Sequence, residues 1–202
     1  MRTTSKTLAV IATVAALTSA CGTQPKPGTP DAANLPAVQD SAAAAAPSDG
    51  APAGSNAQGR IPKKLGEAAG FTGQDGKTQA VTFSIDKITV DPKCDEYMNR
   101  AAGTHTLVLD VRVATEQLSP EDAAQLGATI NPFAFQTVAD GVTAPVNAGS
   151  CKVMSLKRLP NTWASNSKYT GQIELEVPAK SGTLALIPGG LTNAGGGWEW
   201  SY

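Results

Sequence analysis

Few residues in this sequence could do chemistry. There is one histidine, three cysteines and a scatter of acids in 202 residues. A Ser-His-Asp triad would need His105 beside a serine on a strained turn, and no G-x-S-x-G stretch occurs. No carboxylate pair stands out as a glycosidase couple. His105 has the parity of Leu107 and Leu109, so it belongs at the mouth of a core strand as a hydrogen-bonded structural residue. Asp91, Asp95 and Glu96 crowd around position 94. Calcium wants several such carboxylates, but EF-hand spacing is absent, and the cluster reads as a solvated loop. A single histidine excludes multi-histidine metal sites. The run Gly195–Gly197 lacks the strand and helix that frame a phosphate cradle. No catalytic residue, metal or cofactor is expected. Trp198, Trp200 and Tyr202 share one face of the C-terminal segment. They could form an aromatic platform for a sugar or a protein partner, but packing of a terminal strand into the core is the expectation.

Composition narrows the partners. Lys and Arg number 16 against 17 Asp and Glu, and charged residues make up 16% of the chain. No strong field steers it to nucleic acid, and Lys157-Arg158 is too short for a basic patch.

The N-terminus reads as an address. Arg2 and Lys6 precede an uncharged run from Leu8 to Leu17, and the small residues Ser19 and Ala20 follow. That is a secretory signal layout, and the run is too short for a permanent membrane span. Leu17-Thr18-Ser19-Ala20-Cys21 resembles the lipobox of bacterial lipoproteins, with Thr18 where leucine is commoner. The resemblance implies a diacylglyceryl thioether on Cys21, which becomes the mature N-terminus. Acyl chains such as palmitate then hold the protein, each buried methylene contributing ~0.8 kcal/mol. Residues 22–59 are rich in Ala, Pro, Gly, Ser and Thr, and Leu35 and Val38 are their only large aliphatics. So little apolar surface cannot offset the entropy of ordering, and a disordered spacer is expected. The domain plan is a signal peptide at 1–20, a lipidated linker at 21–59 and a folded body at 60–202. With Cys21 committed to lipid, Cys94 and Cys151 remain. An exported chain with an even pair invites one disulfide, here joining two irregular stretches, DPKC and AGSC.

The hydrophobic period in the body is two. Leu107, Leu109, Val111 and Val113 alternate with Thr106, Asp110 and Arg112. Tyr169, Ile173, Leu175 and Val177 alternate with Thr170, Gln172, Glu174 and Glu176. Both segments read as half-buried antiparallel strands. Val81, Phe83 and Ile85 change phase to Ile88 and Val90, which predicts a β-bulge near Asp86–Lys87. Weaker strands are expected at Phe133–Val138, Val142–Val146, Lys152–Leu156, Thr183–Ile187 and Trp198–Tyr202. Asp140-Gly141 predicts a hairpin turn. Ser119 followed by Pro120, acids and a closing Gly127 predicts one short helix crossing between sheets. Many short strands with frequent turns point to a β-sandwich, with a closed barrel as the alternative.

Four stretches carry a family resemblance: LGEAAGFTG (65–73), VTFSIDKITVDPKC (81–94), NPFAFQ (131–136) and the ending YTGQIELEVP…GTLAL…GGWEW (169–200). Together they resemble the telokin-like, immunoglobulin-like domain of Gram-positive bacterial lipoproteins and secreted antigens. The resemblance implies an all-β, immunoglobulin-like antiparallel β-sandwich on a lipid-anchored tether. It supplies no catalytic residues, because the family is largely of unknown function.

The expected function is a non-enzymatic binding or structural module. Cys21 would hold it on the outer face of the cytoplasmic membrane, as a monomer, with a protein partner at the cell surface. The alternatives are a carrier of a small apolar ligand in the sandwich interior and a surface hydrolase. Intact-mass analysis of the membrane fraction should show a chain beginning at Cys21 and carrying acyl chains. An unmodified N-terminus beyond Cys21 would end the lipid assignment.

Overall fold

The computed structural model describes residues 38–39, 54–73, 75–188 and 196–202. The expected signal peptide, Cys21 and most of the expected linker lie outside the described residues. Two sheets face each other. The six-stranded sheet has the order β1-β3-β4-β5-β9-β8, with β1 at Val38–Gln39, β3 at Ala69–Thr72, β4 at Gln79–Val90, β5 at His105–Thr115, β8 at Asn147–Ala148 and β9 at Lys168–Val177. The five-stranded sheet has the order β2-β11-β10-β6-β7. Its strands are β2 at Ile61–Pro62, β6 at Phe135–Ala139, β7 at Val142–Pro145, β10 at Thr183–Leu186 and β11 at Trp198–Ser201. This is a β-sandwich rather than one closed barrel.

The two strongest alternations form the centre of the larger sheet. Leu107, Leu109, Val111 and Val113 on β5 and Ile173, Leu175 and Val177 on β9 are buried. The phase change in β4 is a bulge, since Ile85 pairs with Val111 and Lys87 with Asp110, leaving Asp86 unpaired. The extra residue returns Ile88 and Val90 to the core side, where both pack against the buried cluster. Asp140 and Gly141 take φ of 50° and 77° and connect β6 to β7, the pattern a two-residue hairpin turn requires. Helix α1 spans Pro120–Leu126 and carries the chain from β5 in one sheet to β6 in the other. The Ser119 hydroxyl accepts its first free amide, from Asp122, at 3.0 Å.

Several expectations need correcting. Gly127 does not close the helix in a left-handed turn, because its φ is −59°. Its small size serves a close approach instead, since a Cβ there would lie 2.6 Å from the Asn161 carbonyl oxygen. Phe133 lies in a 3-10 turn at Pro132–Ala134 and is 70% exposed, so the strand begins at Phe135. Lys152–Leu156 forms turns rather than a strand. Its amides bind carboxylates from distant strands and loops, which leaves them no ladder to join. The sandwich is not wholly antiparallel either. β2 runs parallel to β11, with the Ile61 amide donating to the Gly197 carbonyl and the Lys63 amide to Glu199. Order also reaches into the linker. Val38 and Gln39 pair with Phe71 and Gly70, and the Asn56 side chain accepts the Gln58 and Arg60 amides to start the body. The strands at the sheet edges (β1, β8, β2 and β7) are two to four residues long, and Pro62 and Pro145 sit in two of them.

Aromatic rings fill the space between the sheets. Phe71 and Phe83 stack at 5.4 Å, and Trp198 from the opposite sheet meets both edge-on at 5.1 Å. Trp198 and Trp200 are 0% and 1% exposed. Replacing a buried tryptophan by alanine removes both transfer energy and packing. Trp198→Ala should therefore cost about 3–5 kcal/mol in urea unfolding, whereas Phe133→Ala should stay within about 0.5 kcal/mol of the parent.

Candidate functional site

Two regions on the outward face of the six-stranded sheet gather polar side chains. The first lies at the end held by the disulfide. Cys94 and Cys151 are joined across 57 residues with Cα atoms 4.6 Å apart, linking the loop after β4 to the loop after β8. Acids complete the clasp. Glu174, 3% exposed, reaches up from β9, and its Oε1 accepts the amides of Cys151 at 2.7 Å and Lys152 at 2.8 Å. Asp95 accepts the amides of Met154 and Ser155, both at 2.8 Å, and pairs with the Lys152 ammonium at 2.6 Å. The Lys152 ammonium, followed by the Ser155 hydroxyl and amide, holds the Asp95 carboxyl far below the usual range. These loops cover one end of the sheet, so Thr106 and Val108 are buried although they point away from the core.

His105 lies at the rim of this clasp. Its Nδ1 is 2.8 Å from Asp91 Oδ2, and the other carboxylate oxygen accepts the Thr106 amide at 3.1 Å and meets Arg100 Nε at 3.2 Å. The His105 hydrogen bond is the main cause that lowers the Asp91 carboxyl below its ordinary value. Asp91 reaches this position with φ of 50°, in the left-handed region that few non-glycine residues occupy. A carboxylate orienting an imidazole is half of a nucleophilic relay. Among the described residues no hydroxyl or thiol hydrogen-bonds to the other ring nitrogen of His105. Asp91 and Asp95 are thus spent on His105, Arg100, Lys152 and backbone amides. Among the described residues no cluster of three or more His, Cys, Asp or Glu side chains is placed to hold a metal.

The second region is a cleft of about 350 Å³ on the same face, lined by Thr82, Ser84, Arg112, Ala114, Lys168 and Thr170, with Gly66 and Ala68 forming one wall. Strand register builds it. Ser84 pairs with Arg112 and Arg112 with Thr170, while in the next row Thr82 pairs with Ala114 and Ala114 with Lys168. The bulge supplies the acid. Asp86 takes Arg112 Nη2 at 2.8 Å and Nε at 2.5 Å, and accepts the Ser84 hydroxyl at 2.7 Å. Arg112 holds the Asp86 carboxyl below the usual range. The alternation marked Arg112 and Thr170 only as part of a solvent face. What it could not give is which ones stand side by side across three strands.

The aromatic platform is not available on this surface. Trp198 and Trp200 face the core, and the half-buried Tyr202 has its hydroxyl 2.5 Å from Thr137 Oγ1.

These features define a disulfide-clasped β-sandwich with a polar cleft on the outside of its larger sheet. No family model and no curated protein matches the sequence, so the telokin-like resemblance has no family match behind it. Among solved structures, the chain is similar to MPT63, a secreted protein of Mycobacterium tuberculosis. Identity is 17% and the TM-score 0.48, covering 71% of this chain and 98% of that one. It is also similar to a candidate lipoprotein, ycdA, of Bacillus subtilis at 11% identity and a TM-score of 0.41. That match covers 61% of this chain and 36% of the other.

The depressed carboxyls set the acid limit of the fold. A carboxyl whose folded pKa lies below its unfolded value of ~3.9 stabilises fully above that value, and the contribution fades as pH falls through the folded value. The urea midpoint should be level from pH 7 to about 5 and drop below about pH 4. Asp95→Asn should lower the plateau and flatten the drop. Reducing the disulfide should cost about 4 kcal/mol by loop-closure entropy, read from urea curves with and without reductant.

Proposed function

We propose that this protein is an exported, lipid-anchored binding module with no catalytic centre of its own, tethered through Cys21 outside the cytoplasmic membrane. The location is supported by the basic, apolar and small-residue order of positions 1–21 and by the Cys94–Cys151 disulfide, which suits an oxidising compartment. An immunoglobulin-like role in presenting a surface fits a two-sheet body, although fold alone does not set function. The observation that carries the binding reading is the cleft. In it, donors of Arg112 and Lys168 face solvent over a floor of paired strands. Its volume falls within the range of ordinary ligand pockets, roughly 300–1,000 Å³.

The carrier alternative would need room between the sheets. There, Phe71, Phe83 and Trp198 meet at contact distance. The hydrolase alternative would need a nucleophile on His105, whose Nδ1 is engaged by Asp91.

The test uses the chain with Cys21→Ser, which should leave the membrane fraction and appear in the medium. Added back to cells that lack the protein, it should be retained in a saturable way. No retention, or turnover of surface esters or glycans in its presence, would overturn the reading.

A further inference from the structure

We infer that the cleft on the six-stranded sheet binds a polyol carrying a single anionic group, such as an acidic sugar. This rests on the reading of the body as a binding module and names the ligand class of its cleft. Three observations converge on it.

The first is charge. The cleft lining holds two cations, Arg112 and Lys168, and no acid; Asp86 reaches it only through Arg112. Asp86 binds Arg112 through both of its oxygens, which neutralises one unit of charge. Lys168 is exposed, and among the described residues no carboxylate pairs with it. One positive charge is left over at the cleft, and the ligand that complements it carries an anionic group.

The second is donor geometry. Arg112 gives Nε and one Nη2 hydrogen to Asp86, so three of its five N–H donors stay available in a fixed plane. The Asp86 salt bridge holds that plane in place, which reduces the rotamer entropy lost on binding. The Thr82 hydroxyl accepts from Gln79 Nε2 and keeps its own hydrogen to donate. Thr170 is exposed, and its hydroxyl can donate and accept.

The third is spacing. Adjacent strands stand about 4.8 Å apart, and same-face residues along a strand about 6.7 Å. Ser84, Arg112 and Thr170 make one row, and Thr82, Ala114 and Lys168 the next. The polar groups therefore surround Ala114 at distances comparable to the spread of hydroxyls around one sugar ring. Ala114 is the small residue that makes the floor a depression. Because β4 and β5 are interior strands and β9 pairs with β5 as far as Lys168, the backbone beneath this array is preformed.

The anionic group could be a carboxylate or a phosphate, and the test separates the two. The secreted Cys21→Ser chain is titrated with glucuronate, glucose 6-phosphate and glucose while backbone amide shifts are followed by NMR. Saturating shifts centred on residues 82–84, 112–114 and 168–170 are expected with at least one acidic sugar, and the tighter of the two identifies the acid. Glucose should give none at the same concentration. Lys168→Ala should weaken binding about tenfold, the value of one charge-assisted contact. Ala114→Leu should abolish it by filling the floor, and both variants should unfold at the parent's temperature. No shifts with either acidic sugar, shifts elsewhere on the body, or equal binding of glucose would overturn the inference. Should the chain still be retained saturably on cells after such a result, the binding-module reading stands and this ligand assignment falls.

Discussion

Three rings lock the sheets together, and the rest of the molecule takes its register from them. Trp198 on β11 sits edge-on against both Phe71 on β3 and Phe83 on β4. Because strand side chains alternate with period two, fixing Phe83 inward fixes Thr82 and Ser84 outward. Pairing then carries the choice across the sheet, from Phe83 to Val113 and on to Tyr169, and from Ser84 to Arg112 and on to Thr170. The cleft is thus the reverse side of the aromatic core. A slip that loosened the rings would also scatter the donors on the far face.

The bulge at Asp86 joins these two requirements. Without it, β4 could not keep Ile85 and Ile88 both on the core side. The extra residue is left without a ladder partner, and its side chain becomes free to grip Arg112. A device needed for burial thereby also supplies the fixed acid at the cleft. The disulfide end shows the same economy. Glu174 is an outward position on β9, yet the loop that carries Cys151 closes over it, and one oxygen of the carboxylate accepts both of the loop amides.

Features written locally were legible in the sequence. The change of phase between Ile85 and Ile88 gave the bulge, Asp140-Gly141 the hairpin, and Ser119-Pro120 the start of α1. Each depends on neighbours within a few positions. Features set by distant partners were not legible. Lys152–Leu156 looked like a strand because Val153 and Leu156 are apolar, but its amides answer to Asp95 and Glu174, which lie far away in the chain. Gly127 looked like a helix terminator, but it is small because the chain at Asn161 passes against it. The cleft was invisible for the same reason. Thr82, Arg112 and Lys168 become neighbours only through strand pairing.

The short, proline-bearing margins of the sheets bear on the proposed lipid anchor. Exposed long edges invite strand addition from another copy, and natural proteins blunt them. Here, each sheet ends in strands of two to four residues, and Pro62 and Pro145 remove amide donors where pairing could propagate. A lipid anchor would confine the copies to a plane and raise their encounter frequency well above that in solution. Blunted margins would let such a crowd of identical bodies collide without zipping together, leaving the outer face of each sandwich open.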